Sequence, residues 1–488
     1  MKSLMPARAD SDWIQHGDDG TWLLPAFSDR HCHPLFAARE LSSLQLTPNL
    51  RPSDAVLELK RHVDSLPNLD WLDATAFNQD LNETFSAQQL DEVSLVVPVV
   101  VHSADRHNLW VNTAALNAAG LLDLVPELKD AEVVVNDQGR PTGILHEWSA
   151  MQLVLNHQPL PSPSEDLNSL ILADQTLSAS GYVGISDAWI DPGMFEVYQA
   201  AMEASQLKSQ YELWFRVSSD DKRSQLDYLA QSLLALRSST TQTAKSNVKI
   251  SGVKVFLDGV ISSKTASIVG GYDDGSAHET LWSAQQLQEL LVSVAEIDPK
   301  LRPHFHAIGD AAVSLALDAV EHARRSGLWV GTHRPVVAHA ELVLEEDLVR
   351  LRNLDVEVVV SPQWLAASAE ADSSAEALPC AKRLLLGDFS RYLSAGIFVT
   401  CGSDWPVSAP DPMFAIATGL EWLRRKHNDS QVVKEMPFDV EHAMKNLWQM
   451  ASGPAWKTSK AKLAFRENPM DVAMNEPERL SGLKFELL

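Results

Sequence analysis

Eight short runs rich in β-branched or aromatic residues punctuate the chain, near 24–31, 182–188, 212–218, 249–257, 302–307, 336–340, 356–361 and 397–402, and each reads as a strand. Between most of them apolar residues recur at spacings of three and four, clearest over 165–180, 194–206, 224–237, 283–296, 310–326 and 344–353, which predicts amphipathic helices. Asp310, just ahead of Ala311-Ala312-Val313, is expected to cap the fifth of these helices. Strand alternating with helix predicts a parallel sheet. Eight such units predict an α/β fold of the (β/α)8 TIM-barrel type, with strands apolar on both faces and chemistry on the loops after their carboxyl ends. A doubly wound open sheet is the alternative. Against it, no Gly-x-Gly-x-x-Gly follows the first strand, and polar residues close many strands rather than marking one switch point.

The gap between the first and second strands, about residues 40–180, is too long for an ordinary βα connection and is expected to fold as an insertion. It offers a helix at 54–65, a strand at 96–102 and the polar-aromatic segment Ser103 to Asn112. Its expected role is a lid or substrate wall. The domain reading is therefore a barrel over 25–455 that contains the 40–180 insertion, with segments 1–24 and 456–488 flanking it. Ala366 to Ala377, rich in Ala, Ser and Glu, reads as a mobile loop after the seventh strand.

Composition narrows the partners. Forty basic residues against 65 acidic ones leave a formal charge of −25, which opposes nucleic acid and anionic lipid. The most apolar stretch, Val93 to Val101, is interrupted by Pro98 and falls well short of the roughly 20 residues a spanning helix needs. The first ten residues lack the apolar core of a signal peptide, and three scattered cysteines form no disulfide framework. A cytoplasmic location is the resulting expectation, with neither nucleic acid nor membrane as partner; a small-molecule substrate and a homodimer are expected besides.

His31 and His33 close the first strand one residue apart, and alternate residues of an extended backbone share a face. By itself the pair carries little weight. His306 in His-Phe-His-Ala-Ile-Gly-Asp, His339 in Val-Val-Ala-His-Ala-Glu and Asp404 in Cys-Gly-Ser-Asp-Trp-Pro occupy equivalent places at other strand ends. Singly, each is more economically read as a satisfied core imidazole or a turn cap. Jointly they converge on one barrel axis, where burial without a cation would leave several polar groups poorly satisfied, so a divalent metal is the better explanation. His304 is as well placed by spacing as His306. Lys254, inside the fourth strand, requires either an ion pair with Asp258 or another carboxylate, which spacing favours, or carbamylation. Among fourteen tryptophans, Trp110, Trp148, Trp189, Trp364 and Trp405 fall near strand ends or lid segments and would line an apolar pocket for a hydrophobic or aromatic substrate.

Pro25-Ala26-Phe27-Ser28-Asp29-Arg30-His31-Cys32-His33, Asp105-Arg106-His107 with Trp110-Val111-Asn112, Gly143-Ile144-Leu145-His146-Glu147, Gly252 to Gly259, His306 to Asp310 and Gly402-Ser403-Asp404-Trp405-Pro406 together resemble the amidohydrolase superfamily, in its YtcJ-like branch that includes N-substituted formamide deformylases. The resemblance extends over roughly 22–455. It implies that His31, His33, His306, His339 and Asp404 bind metal, with Lys254 a carbamate bridge if two ions bind, and it selects His306 over His304. It implies that Asp404 is the general base and that Asp105, His107, Glu147 and Asp258 line the pocket. The chain departs from the family at its ends, 1–24 and 456–488, which implies a small, reduced β-rich accessory domain, and in Arg30 and Ala338, smaller changes that leave the ligands intact and are expected to alter substrate preference. The cofactor expectation is one or two Zn2+ ions. The mechanism expected is attack of metal-activated water on an amide or formamide carbonyl, with His107 or His304 helping to hold the oxyanion and Asp404 returning the proton to nitrogen. A non-catalytic binding protein, and a metal-dependent esterase, lactonase or deaminase, are the rival readings.

Overall fold

The structure, a computed structural model, describes residues 13–488 other than 42, 48–49, 67–68, 78–83, 104–106, 129–130, 160, 239–246, 329–333, 367–368, 430–437 and 454–459. The chain divides into two compact units, one formed by Met1–Pro34 with Leu170–Leu488 and the other by Leu35–Ser169. No helix among the described residues is long and apolar enough to cross a membrane.

The first unit is a (β/α)8 barrel. Its strands are β1 (Phe27–Cys32), β2 (Tyr182–Ile190), β3 (Gln210–Arg216), β4 (Val248–Phe256), β5 (Arg302–Ala307), β6 (Val336–His339), β7 (Glu357–Val360) and β8 (Phe398–Cys401). Each pairs in parallel with its sequence neighbour in the order β1 to β8. Between β8 and β1 the circuit is completed beyond the strand ends, where Asp404 N–H donates to His31 C=O at 2.7 Å and His33 N–H donates to Trp405 C=O at 2.8 Å. Strands such as β6 and β7 are buried at every position, which is why 336–338 and 358–360 read as apolar runs.

Side chains from alternate strands fill a barrel in layers. Here one layer is charged: Arg30 of β1, Glu212 of β3, Arg302 of β5 and Glu357 of β7. Arg30 Nε and Nη2 reach the two oxygens of Glu357 at 2.9 and 3.2 Å, while its Nη1 reaches Glu212 at 3.0 Å. Arg302 bonds Glu212 at 2.9 Å, and the Thr400 hydroxyl donates to Glu357 at 2.9 Å. Burial pushes both carboxyls up, but Arg30 foremost, with Arg302 and, at Glu212, Lys249, outweighs it and holds them below the usual carboxylate range. A depressed folded-state pKa gives stability that is fully present above the unfolded value, about 4.5 for Glu, and is lost as pH falls through the folded value. This layer's contribution is therefore expected to hold steady from pH 6 to 8 and to drop out below about pH 4.5, adding to the acid slope of the urea midpoint. That acid slope should be shallower in Glu357→Gln.

The terminal segments contribute a four-stranded antiparallel sheet in the order Gln15–His16, Trp22–Pro25, Lys462–Phe465, Phe485–Leu487. The single strand expected over 24–31 is thus two. Trp22–Pro25 pairs with Lys462–Phe465, and after Ala26 the chain enters the barrel as β1. Both pieces are apolar, so the change of sheet leaves no mark in the hydrophobic pattern. Two further expectations are corrected. Ala369–Ala377 is a helix, in keeping with its alanines and glutamates, rather than a loop. Asp310 is the first helical residue, Gly309 being the cap, and its carboxylate accepts from Val269 N–H at 2.8 Å and pairs with Lys382.

The second unit holds a six-stranded mixed sheet, in the order Leu44–Gln45, Leu72–Phe77, Val99–Ser103, Asn108–Val111, Pro141–His146, Glu132–Val135. Alternate residues face opposite sides. Leu72, Ala74, Val99, Val101 and Trp110 pack against Ala55, Val56 and Leu59 of helix Pro52–Ser65. On the other face Val100, Leu109, Val111 and Leu145 pack against Ala115 and Leu116 of Thr113–Ala118 and against Ala150, Met151 and Val154 of Glu147–Leu155.

Candidate metal and active site

The carboxyl ends of β1, β4, β5, β6 and β8 bring their polar residues together. Nε2 of His31 and Nε2 of His33 lie 3.4 and 3.0 Å from Oδ1 of Asp404. Ligand atoms of these three residues fall within 4.8 Å of one another, close enough for one cation. His339 Nδ1 stands 4.0 Å from the other Asp404 oxygen, and Lys254 Nζ is 3.3 Å from His31 Nε2. His306 sits one ring further out. It stacks on Phe256 at 5.0 Å and meets His339 at 4.5 Å, with Nε2 3.2 Å from the Gly259 carbonyl.

Local backbone makes this convergence possible. Gly402 passes so close to β1 that a Cβ there would lie 2.6 Å from Cβ of His31, so only glycine permits Asp404 to reach the pair. His339 and Asp404 both adopt left-handed φ values, 74° and 55°, an arrangement costing about 1–3 kcal/mol each and seen where function holds a side chain in place. Asp29 fixes the β1 end to the β8 loop. Its carboxylate accepts from Ser403 Oγ–H and Ser403 N–H, the latter at 3.0 Å, and from His31 N–H at 3.2 Å. Burial nevertheless raises its pKa to about 6. In the sequence, only its place two residues ahead of His31 hints at this role.

Electrostatics favour a cation. Burial lowers His31 to about 3 and His304 and His339 well below their ordinary value, so these imidazoles are neutral and carry lone pairs. For Asp404 burial opposes ionisation, but its contacts with His31, His33 and His339 outweigh it and hold the carboxyl well below its usual range. His339 Nε2 and His33 Nδ1 are buried without a hydrogen-bond partner among the described residues. Neutral imidazoles, one carboxylate and orphaned nitrogen atoms form a donor set that suits a divalent transition-metal ion.

Other sequence-predicted residues fall differently. Lys254 makes no ion pair within 4 Å among the described residues. Asp258, the expected partner, is committed to backbone N–H groups of Ser267, Ile308 and Gly309 at 2.8–3.0 Å, which positions the loop beside His306 rather than facing a substrate. Without that pairing, burial brings the Lys254 amine down to about 7. His304 lies behind His31: its Nε2 bonds His31 Nδ1 at 2.8 Å, on the side of the ring opposite Asp404, and its ring meets Trp214 at 4.8 Å. It is thus a positioning residue, not a direct oxyanion contact. Trp110 is fully buried in the core of the second unit, with its indole N–H on Ser86 C=O at 2.8 Å, so it is core and not pocket. Trp405 is also buried, whereas Trp364 is half-buried and stacks on His339 at 5.3 Å, nearly parallel. Arg30, beside the histidines in sequence, is spent on the charged layer. Within the second unit His107 Nδ1 pairs with Glu147 at 2.8 Å, and Glu147 has a positive φ of 66°. Asp105 lies outside the described residues.

Comparison with known proteins agrees with this arrangement. A family model described as "Amidohydrolase family" matches residues 19–456. YtcJ of Bacillus subtilis (strain 168) is 25% identical over 461 residues, covering 91% of this chain and 82% of that protein. N-substituted formamide deformylase of Arthrobacter pascens is 24% identical over 405 residues, covering 80% and 72%. A metal-dependent hydrolase of Pyrococcus horikoshii OT3 shares the fold with a TM-score of 0.67 at 18% identity, covering 92% of this chain and 87% of that one. With its barrel, its His-x-His and its family match over most of its length, the chain belongs to the amidohydrolase family.

Proposed function

We propose that the protein hydrolyses the carbon–nitrogen bond of an amide or formamide in a small, hydrophobic or aromatic substrate, using one or two divalent ions, zinc in the first instance. The observation that carries this reading is the His31, His33 and Asp404 cluster, with ligand atoms inside 4.8 Å and His339 beside it. A divalent cation there supplies Lewis acidity, which lowers the pKa of water from 15.7 to about 7 and polarises a carbonyl.

The chain's own residues do the rest. His31, His33, His306, His339 and Asp404 are the proposed ligands. Asp404 Oδ takes the proton from water and returns it to the leaving nitrogen, while the bond from its backbone N–H to the His31 carbonyl holds the residue in place. If His31 donates from Nδ1 to His304 Nε2, its own Nε2 keeps the lone pair a ligand needs; His304 therefore selects that tautomer. The buried Lys254 amine is placed to add carbon dioxide at Nζ with loss of a proton, giving an anionic carbamate next to His31. Trp189, Phe256 and Trp364 surround the cluster with rings, 5.9 Å from His33, 5.0 Å from His306 and 5.3 Å from His339, which supports an aromatic substrate. The low cysteine count supports a cytoplasmic setting.

The test is a panel of N-acyl amines, N-benzylformamide among them, assayed with purified protein before and after chelation and after zinc is restored. Amide turnover that disappears with the chelator and returns with zinc is the expected result. Turnover of esters or lactones alone would replace the amide with an ester reading. A zinc-loaded protein inert on every class would favour a binding protein.

A further inference from the structure

Strand β3 sends three side chains into the barrel at alternate positions. Glu212 joins the charged layer, Trp214 packs against His304, and Arg216 ends the strand level with Lys254 in the β3–β4 ladder. Arg216 Nε donates to Oδ1 of Asp191 at 2.8 Å, and Oδ2 of the same carboxylate accepts the Trp189 indole N–H at 2.8 Å. The guanidinium lies over the Trp189 ring, 5.4 Å from its centroid. Trp189 in turn stands edge-on to His33 at 5.9 Å and to Phe256 at 4.9 Å.

Only one end of the guanidinium is used. Among the described residues its Nη1 and Nη2 groups have no protein partner, and the side chain is 18% exposed. Asp191 and the indole fix the plane and direction of the group, so the remaining two nitrogen atoms form a preorganised fork at the carboxyl end of the barrel. A planar fork of that kind matches a carboxylate.

We propose that Arg216 is a specificity-determining residue that binds a carboxylate of the substrate, remote from the scissile bond. The substrate class is then an aryl amide bearing a carboxylate, its ring against Trp189 and Phe256. The inference rests on the hydrolase reading above for its kinetics but not for its binding. The reaction is unchanged: water adds across the C–N bond to give an acid and an amine.

Two measurements on the zinc-loaded full chain test it. The first compares kcat/KM for 4-(acetamidomethyl)benzoate and uncharged N-benzylacetamide in wild type, Arg216→Gln and Arg216→Lys. Wild type should favour the carboxylate roughly 10- to 100-fold, the scale of a charge-assisted pair of hydrogen bonds. Arg216→Gln should abolish that preference, chiefly through KM, and Arg216→Lys should keep part of it. A merely structural Arg216 would lower both substrates together and leave the ratio unchanged, which overturns the proposal. The second is calorimetric binding of 4-methylbenzoate and 4-methylbenzamide to wild type and Arg216→Gln. Arg216-dependent binding of the benzoate supports the inference even if neither amide is hydrolysed, an outcome that removes only the amidase reading. Equal benzoate affinity in the two proteins overturns it.

Discussion

Replacing Asp404 with Asn is expected to lower kcat by about 10^2- to 10^4-fold, the range associated with losing a positioned general base. The side chain keeps its shape and the backbone bond from residue 404 N–H to the His31 carbonyl is unaffected, so the urea midpoint should stay near that of wild type. What disappears is the basic oxygen. In the native protein its contacts with His31, His33 and His339 hold that carboxyl well below its usual range. KM should change far less than kcat, because proton transfer is made only in the transition state. Steady-state kinetics on whichever amide wild type turns over provides the check; a variant with wild-type kcat would remove Asp404 from proton transfer.

The largest stability effect is expected far from the chemistry. Arg30→Met should cost about 3–5 kcal/mol, the range for removing one partner from a buried ion pair. Two carboxylates lose their shared cation: Glu357, which is 2% exposed, and Glu212, which retains Arg302 and Lys249. Glu357 has no second ion-pair partner within 4 Å among the described residues, and only Thr400 remains on its Oε1. The double replacement Arg30→Met with Glu357→Leu should therefore recover most of the loss, since an apolar pair of similar volume is often as stable as the ions it replaces. Urea unfolding of the two singles and the double measures this. Additive losses in the double would show that the layer is not coupled through Arg30.

Parallel strands covered on both faces read as apolar runs, so all eight barrel strands stand out in the sequence, and the His-x-His, His339 and Asp404 positions follow from their place at strand ends. The charged layer does not. Arg30 and Glu357 are 327 positions apart, and nothing in either neighbourhood marks them as partners. Lys254 illustrates a different limit: spacing offers Asp258 as its counter-ion, but three backbone N–H groups already claim that carboxylate. Trp110 and Trp364 look alike as isolated tryptophans. One fills a core and the other stacks on a histidine of the cluster, and only the register of the sheets separates them. Arg216 and Asp191 belong to two different strand ends, so their fork exists only once β2 and β3 pair.

The central claim is that His31, His33 and Asp404 share a divalent cation. Metal content by inductively coupled plasma mass spectrometry tests it most directly, on wild type and on the double variant His31→Asn with His33→Asn, both purified without chelator. Wild type should carry about one to two ions per chain, as metal hydrolases generally do, and the folded double variant should carry almost none. Wild-type protein that holds no metal and takes up none from added zinc would contradict the account.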